Sequence, residues 1–558
     1  MYVKVENTRL DYFRKNQETI RAELYQGILD TVDAGESCAA NVGRRVILPP
    51  TYIGGPRDLK KRYLNAMTLV HEYGKPDLFV TMTCNVNWPE IKEQLGPGEE
   101  AQNRPDIVVR VFHGKLLSLK KQIMEKHIFG EVAAFIYVVE FQKRGLPHAH
   151  MLIILKPGSK IITPADFDRF VSAEIPRQEN PALRALVLKH MMHGPCGQFN
   201  REYQCMKHKS SMGRCKYNYP KTFTAETTTN SDGYPEYRRR DDGQAAVVRK
   251  QTLDNRWVIP YNPFLLSLFD CHLNVEVCST IQAVKYLYKY VYKGHDRISF
   301  NVIKGADPKP VDEIEQYQSG RWVSPCEAMW RLYGFELFET QPPVMVLPVH
   351  LQNMQTMRLH PDENLEAVVA NEKRARTPLT EFFVENSKEG TEPLLYADFT
   401  KKYRWDKGQK RWFKRKIKLL VIGRVVFASP SEGERYFLRI LLLHVRGPKS
   451  FKDLLTINGY TCATFQEAAL KRHLIEEDNT VDLCLNEACE VQMPSALRHL
   501  FAIVLIFSQP KDPAELWTKY YCHLSEDFNR KFPNDPNKVS GNLRLRQLKY
   551  LWKLWGNH

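Results

Sequence analysis

Apolar positions along the chain follow two periodicities, and the switch between them marks out the elements. Leu10, Phe13, Ile20, Leu24 and Ile28 recur at helical spacing and predict a helix with one buried stripe over 8–32. After the turn-rich PPTYIGGPRDLKKR a second helix is expected through Tyr63 to His71, and helical spacing returns over 107–127. Between these two helices DLFVTMTC is rich in β-formers and halts at the turn-prone NVNWPE, the pattern of a strand. EVAAFIYVVEF reads as a central strand, KRGLP as a turn, and HAHMLIIL as a second strand closing a hairpin, before PGSKIITP breaks the pattern. The polar stretch 221–245 is expected to be an exposed hairpin or loop, and Ser279 to His295 helical. Residues 300–450 read as mixed strands and loops, and the remainder as helical up to LRLRQLKYLWKLWGNH.

A chain of 558 residues exceeds one ordinary domain. The expected divisions are a helical region at 1–75, a core at 76–300, a mixed basic region at 301–450 and a helical region at 451–558. The longest apolar runs, Val132–Val139 and Leu500–Phe507, fall well short of the roughly 18 to 20 residues that cross a bilayer. No membrane partner is expected, and the opening MYVKVENTRLDYFRKNQ lacks the apolar core of a secretory signal, so an intracellular protein is expected. Most of the twelve cysteines should then be reduced and buried, Cys271, Cys278 and Cys522 among them. Lys and Arg number 80 against 64 Asp and Glu, a formal net charge of +16. Such a surplus favours a polyanion, because each cation paired with a phosphate releases counterions.

The chemistry concentrates at GLPHAHMLIIL. Side chains alternate along a strand, so His148 and His150 share a face with Ala149 opposite. Two imidazoles so placed can hold one cation. Glu140 and Gln142 share a face of the preceding strand, and the short turn brings them alongside. Two nitrogen ligands and one oxygen ligand, with positions open to phosphate oxygens, suit Mg²⁺ or Mn²⁺ on a nucleic-acid substrate.

EFQKRGLPHAH resembles the His-hydrophobe-His motif of HUH endonucleases, and specifically the replication-initiator region of Helitron transposases. Upstream, DLFVTMTCNVNWPEI resembles that family's first motif; downstream, KYLYKYVYKGHDR resembles its tyrosine motif. Further likeness to the Helitron helicase-like domain runs through VIPYNPFLLSLFDCHLNVEVC, SGRWVSPCEAMWRLYGF and LRILLLHVRGPKSFKDLLTINGY. The resemblance implies an α+β fold, an HUH core whose antiparallel sheet is flanked by helices, with additional helical and mixed regions. It also implies metal-dependent nicking and joining of single-stranded DNA through a 5′-phosphotyrosine, as in rolling-circle transposition, and so a nuclear protein.

In KYLYKYVYK, Tyr286 with Tyr290 and Tyr288 with Tyr292 are each four apart and share a helix face, so geometry does not choose between the pairs. The family pattern places a Lys directly before the second tyrosine. Lys289 therefore selects Tyr286 and Tyr290 as nucleophiles, with Lys289 and Lys293 as phosphate contacts and Tyr288 and Tyr292 as packing residues.

Two further groups stand out. His193, Cys196, Cys205 and Cys215, within the stretch 190–216, could close a tetrahedral Zn²⁺ site, with His190 and His208 as rival ligands. The family carries a similar HGPCG followed by a pair of cysteines. In KKYRWDKGQKRWFKRKIK, the cations Arg404, Arg411, Lys414 and Arg415 interleave with Trp405 and Trp412. Bases stack on aromatics while cations follow the backbone, so this run is a candidate single-strand surface; an amphipathic element with its aromatics in the core gives the same pattern.

Helitron transposases join this region to a helicase, yet no GxxxxGK[ST] phosphate loop occurs here. Unwinding is therefore expected from a helicase supplied separately, and the chain reads as a truncated copy, a gene fragment or a domesticated remnant. The rival to the nickase is a catalytically silent DNA-binding remnant.

Overall fold

The computed structural model describes residues 2–17, 46–141, 145–206, 214–229, 235–278, 312–319, 321–355, 372–417, 419–475, 480–507, 512–533 and 535–555. Two compact units are formed, one from 1–8, 53–301 and 318–341, the other from 9–52, 302–317 and 342–558. Helix α1, Tyr2–Lys15, covers the first part of the predicted stripe; Ile20, Leu24 and Ile28 lie outside the described residues. Strands and helices mix in an α+β arrangement, as the sequence implied.

The first unit is built on one five-stranded sheet. In chain order its elements include α2 (Pro56–Tyr73), β1 (Leu78–Thr83), α3 (Pro105–Met124), β2 (Val132–Phe141) and β3 (Pro147–Leu155). There follow α4 (Pro181–His190), α5 (Pro263–Phe269), β4 (Leu273–Val277), α6 (Pro325–Leu332) and β5 (Phe338–Gln341). The strand order is β4-β1-β3-β2-β5, with every pair antiparallel. The predicted hairpin β2–β3 lies at its centre, and Gly145 in its turn has φ +84°, a conformation that favours glycine.

Register decides what each face carries. Val80, Met82, Val139, Ala149, Met151, Ile153, Leu273 and Val275 form one face of the sheet. They are buried against Val108, Phe112, Leu116 and Leu119 of α3 and Trp330 of α6. The α3 residues recur three and four apart, so one stripe of that helix meets the pleated surface. Helix α2 lies against β2 and β5, with the Arg62 guanidinium over the Phe338 ring.

In the second unit a parallel pair, β6 (Val344–Leu347) and β9 (Ile422–Val425), accompanies a hairpin of β7 (Tyr403–Asp406) and β8 (Arg411–Lys414). Helices α7 (Pro378–Asn386), α8 (Tyr396–Lys402) and α9 (Glu434–His444) bring Leu379, Phe382, Phe399, Leu438 and Leu441 into the core. Helices α10 (Pro494–Phe507), α11 (Pro513–Lys531) and α12 (Pro536–Trp555) complete it, in keeping with the helical pattern of the sequence.

Three sequence expectations are corrected. The region 300–450 contributes helices as much as strands and loops, because α7 and α8 run only nine and seven residues, too few turns to show a period. The stretch 221–245 is not simply exposed: Thr227, Tyr237 and Arg239 are buried, and the Tyr237 hydroxyl accepts from the Val277 amide at 2.8 Å. Cys271 and Cys278 are buried as expected, whereas Cys522 is exposed.

Phe112 is fully buried beneath the sheet, its ring 6.1 Å from that of Trp330. Phe112→Ala should cost about 3–5 kcal/mol of unfolding free energy in denaturant titrations, against less than about 0.5 kcal/mol for Leu117→Ala on the exposed side of α3. Equal costs would show that this face is not the core.

Candidate metal centres

The second face of the sheet carries the histidines. His148 lies opposite Thr83 on β1 and Glu140 on β2, and His150 lies opposite Thr81 and Val138. The Thr83 amide donates to the His272 carbonyl at 3.0 Å, which extends the row to His272, Thr83, His148 and Glu140. Both imidazoles are buried, with ring centroids 4.6 Å apart. Each Nδ1 lies within hydrogen-bond reach of a threonine hydroxyl: His148 of Thr83 at 2.7 Å, His150 of Thr81 at 3.1 Å. The His150 ring also stacks on Phe79 at 5.6 Å. Nδ1 contacts of this kind fix the orientation of an imidazole ring.

Glu140 brings a carboxylate oxygen 3.9 Å from His150 Nε2. Gln142, the other expected oxygen donor, lies outside the described residues. These are the donors the sequence nominated for Mg²⁺ or Mn²⁺; among the described residues it is the His193 cluster, not this trio, whose candidate ligand atoms gather within 4.8 Å of one another.

Sequence reasoning missed the supports around this pair. Besides the threonines, His272 approaches from the position just before β4, its Nδ1 meeting the His190 carbonyl at 3.1 Å. His190, at the end of α4, places Nε2 2.7 Å from Asp270, which caps α5 in the left-handed region at φ +41°. These partners come from far along the chain, and the signal for them was limited to polar residues flanking the apolar β4 run. Burial, with the His272 imidazole as a second cause, holds His148 well below its ordinary value, at about 3.

The rival zinc ligand His190 is thus engaged with Asp270, and His208 lies outside the described residues. His193, Cys196, Cys205 and Cys215 do come together: their ligand atoms all lie within 4.8 Å of one another. They sit in a small separate core with Val187, Met191, Leu253 and Trp257. Gly194 at φ +83° lets the chain pass tightly there, since a Cβ would stand 2.8 Å from the Cys196 nitrogen and 3.0 Å from the Trp257 ring. Cys215 Sγ lies 3.3 Å from His193 Nε2 and accepts the Tyr217 amide at 3.4 Å. Burial raises the Cys196 thiol and opposes ionisation of Cys215, but the amides of Tyr219 and Tyr217 bring Cys215 below its usual value. Burial, then Lys221 and Arg249, lowers His193 to about 4, which keeps a neutral nitrogen. Three sulfurs and one neutral imidazole at this separation fit tetrahedral Zn²⁺.

The tyrosine segment, with Tyr286, Lys289, Tyr290 and Lys293, lies outside the described residues. In the basic run, Trp412 is buried, donating its indole N–H to the Pro378 carbonyl at 2.9 Å, and Trp405 packs edge-on to it at 5.3 Å. Expectations of base stacking on Trp405 and Trp412 are therefore corrected: alternation in β7 and β8 turns both rings to the core. Arg404, Arg411 and Lys414 remain exposed, Arg404 over the Phe413 ring, while the Arg415 Nε donates to the Thr400 carbonyl.

An α+β unit with a histidine pair on the polar face of its central strand is the class defined so far. Residues 1–153 match the family model described as Helitron helicase-like domain at N-terminus, a span that takes in β1, β2 and both histidines. Over this stretch the chain is similar to that family, where DLFVTMTCNVNWPEI and EFQKRGLPHAH had indicated the resemblance. No curated protein matches the chain.

Two predictions follow from the geometry. Unfolded His148 takes a proton near pH 6.5 and folded His148 only near 3, so protonation favours unfolding. The stability contributed by the neutral ring is complete above about pH 6.5 and is lost as the pH falls toward 3. Urea titrations across that window should show a shallower pH dependence for His148→Gln than for the parent; identical slopes refute the assignment. Elemental analysis of purified protein should find about one zinc per chain, falling close to zero in Cys205→Ser.

Proposed function

We propose that the protein nicks and rejoins single-stranded DNA, using a tyrosine nucleophile beside a divalent cation at His148 and His150. The observation that carries this reading is the pair of imidazoles on one face of β3, each oriented through Nδ1 by a threonine, with Glu140 opposite His148. His148 and His150 would hold Mg²⁺ or Mn²⁺, with Glu140 or Gln142 as the third ligand. Bound there, the cation would polarise the scissile phosphate and offset charge developing on its oxygens.

The chain's own contribution is the nucleophile and its placement. A tyrosine hydroxyl has an ordinary pKa near 10 and attacks poorly unless the phosphate is activated and the approach fixed. By resemblance, Tyr286 or Tyr290 forms the new bond to phosphorus as the bond to the 3′-oxygen breaks. The phenolic proton is lost, and the 3′-oxygen departs as a hydroxyl. Attack by another 3′-hydroxyl reverses the step and releases the tyrosine, so joining needs no nucleotide cofactor. Two tyrosines allow a second strand to be taken up before the first is released. His193, Cys196, Cys205 and Cys215 hold a structural Zn²⁺ in this reading, the work is on nuclear DNA, and a separate helicase supplies the single strand.

Incubation with single-stranded oligonucleotides and Mn²⁺ should give a protein–DNA adduct that survives denaturation. Tyr286→Phe with Tyr290→Phe should abolish it, and His148→Ala should reduce it by roughly a hundredfold or more. Absence of any adduct across a broad set of sequences sinks the nickase and leaves DNA binding without turnover.

A further inference from the structure

Around the His193 cluster the aromatic side chains do not all turn inward. Tyr219 stacks on His193 at 4.1 Å, but Tyr217 and Phe199 are 55% and 39% exposed. Tyr217 follows Cys215 by two residues and Phe199 follows Cys196 by three, so the cluster itself fixes the backbone beneath both rings. Phe199 rests against Trp257 at 5.9 Å, and Tyr217 lies edge-on to His193 at 5.8 Å.

Cations accompany these rings. Lys216 Nζ lies 5.7 Å from the Tyr217 centroid, and Arg249 donates to the Tyr203 hydroxyl at 3.0 Å and to the Gly194 carbonyl. Arg249 and Lys250 form the two-residue turn between Ala245–Val248 and Gln251–Asp254, with φ of +51° and +68°. Asn and Gly adopt that geometry far more easily. Both cations are exposed, and Arg249 ties this turn to the cluster segment at Gly194.

We propose that the rim of this cluster is a platform for single-stranded nucleic acid. Phe199 and Tyr217 provide stacking faces for bases, while Lys216, Arg249 and Lys250 follow the phosphates. Exposed rings interleaved with cations, on a backbone fixed from below, meet both requirements of a single strand: a face for each base and a positive track for its backbone. The inference rests on the nickase reading only for the strand being DNA.

Binding of a short labelled oligo(dT) by the full chain, measured by fluorescence anisotropy without Mg²⁺ or Mn²⁺, tests this apart from any cleavage. Phe199→Ala and Tyr217→Ala should each weaken binding roughly tenfold with zinc content unchanged, and Tyr217→Phe should bind as the parent does. Lys250→Gly relieves the turn yet removes a cation. It should leave stability intact and make the slope of log affinity against log salt shallower by about 0.7. Unchanged affinity in both alanine variants overturns the proposal, as does an equal loss in Tyr217→Phe. A parent protein that binds no oligonucleotide also overturns it, the rim then fitting a protein partner. Should the alanine variants lose zinc, the salt slope of Lys250→Gly decides. Failure to form a covalent adduct would leave this result untouched.

Discussion

Strand β3 is buried along its whole length, and the first unit depends on how its two faces divide the work. Ala149, Met151 and Ile153 point into the apolar layer above α3. His148 and His150 point the other way, into a buried row where unshared polar atoms would be costly. The period of two imposes this division, so a register slip of one residue would bury the imidazoles among Phe112 and Leu116 and expose the core. The antiparallel neighbours guard against it, since Thr81 and Thr83 meet the imidazole nitrogens only in the observed register. Fold and candidate chemistry are thus held by one set of pairings.

Much of that arrangement was legible in the sequence. EVAAFIYVVEF and HAHMLIIL showed their strands through β-branched and aromatic content, and the short turn between them left a hairpin as the natural connection. His193, Cys196, Cys205 and Cys215 were recognisable because each residue type has few other reasons to gather in a polar stretch. The supports were not legible. Thr81, Thr83, Asp270 and His272 gain their roles only through strand order, and strand order places β4 next to β1 although nearly two hundred positions separate them in the chain. Trp405 and Trp412 misled for a related reason. Aromatics between cations look alike whether they face bases or a core, and only the pairing of Trp405 with Trp412 across a hairpin shows the side they occupy.

Burial of those indoles changes the picture of how a basic chain meets a polyanion. In the second unit Arg404, Arg411 and Lys414 supply charge without an exposed indole beside them. Around the cysteine cluster, charge and exposed rings occur together. Cations alone attract any phosphate backbone, whereas rings distinguish unpaired bases from a stacked duplex. The two surfaces therefore differ in kind, cations alone in the second unit and cations with exposed rings around the cluster.

His190 and His193 stand three residues apart, one bonded to Asp270 and the other within the cysteine cluster. The same short segment also offers the His190 carbonyl to His272, beside the histidine row. One segment thus braces both places, so a substitution that loosens the backbone around His193 should also be felt at His272.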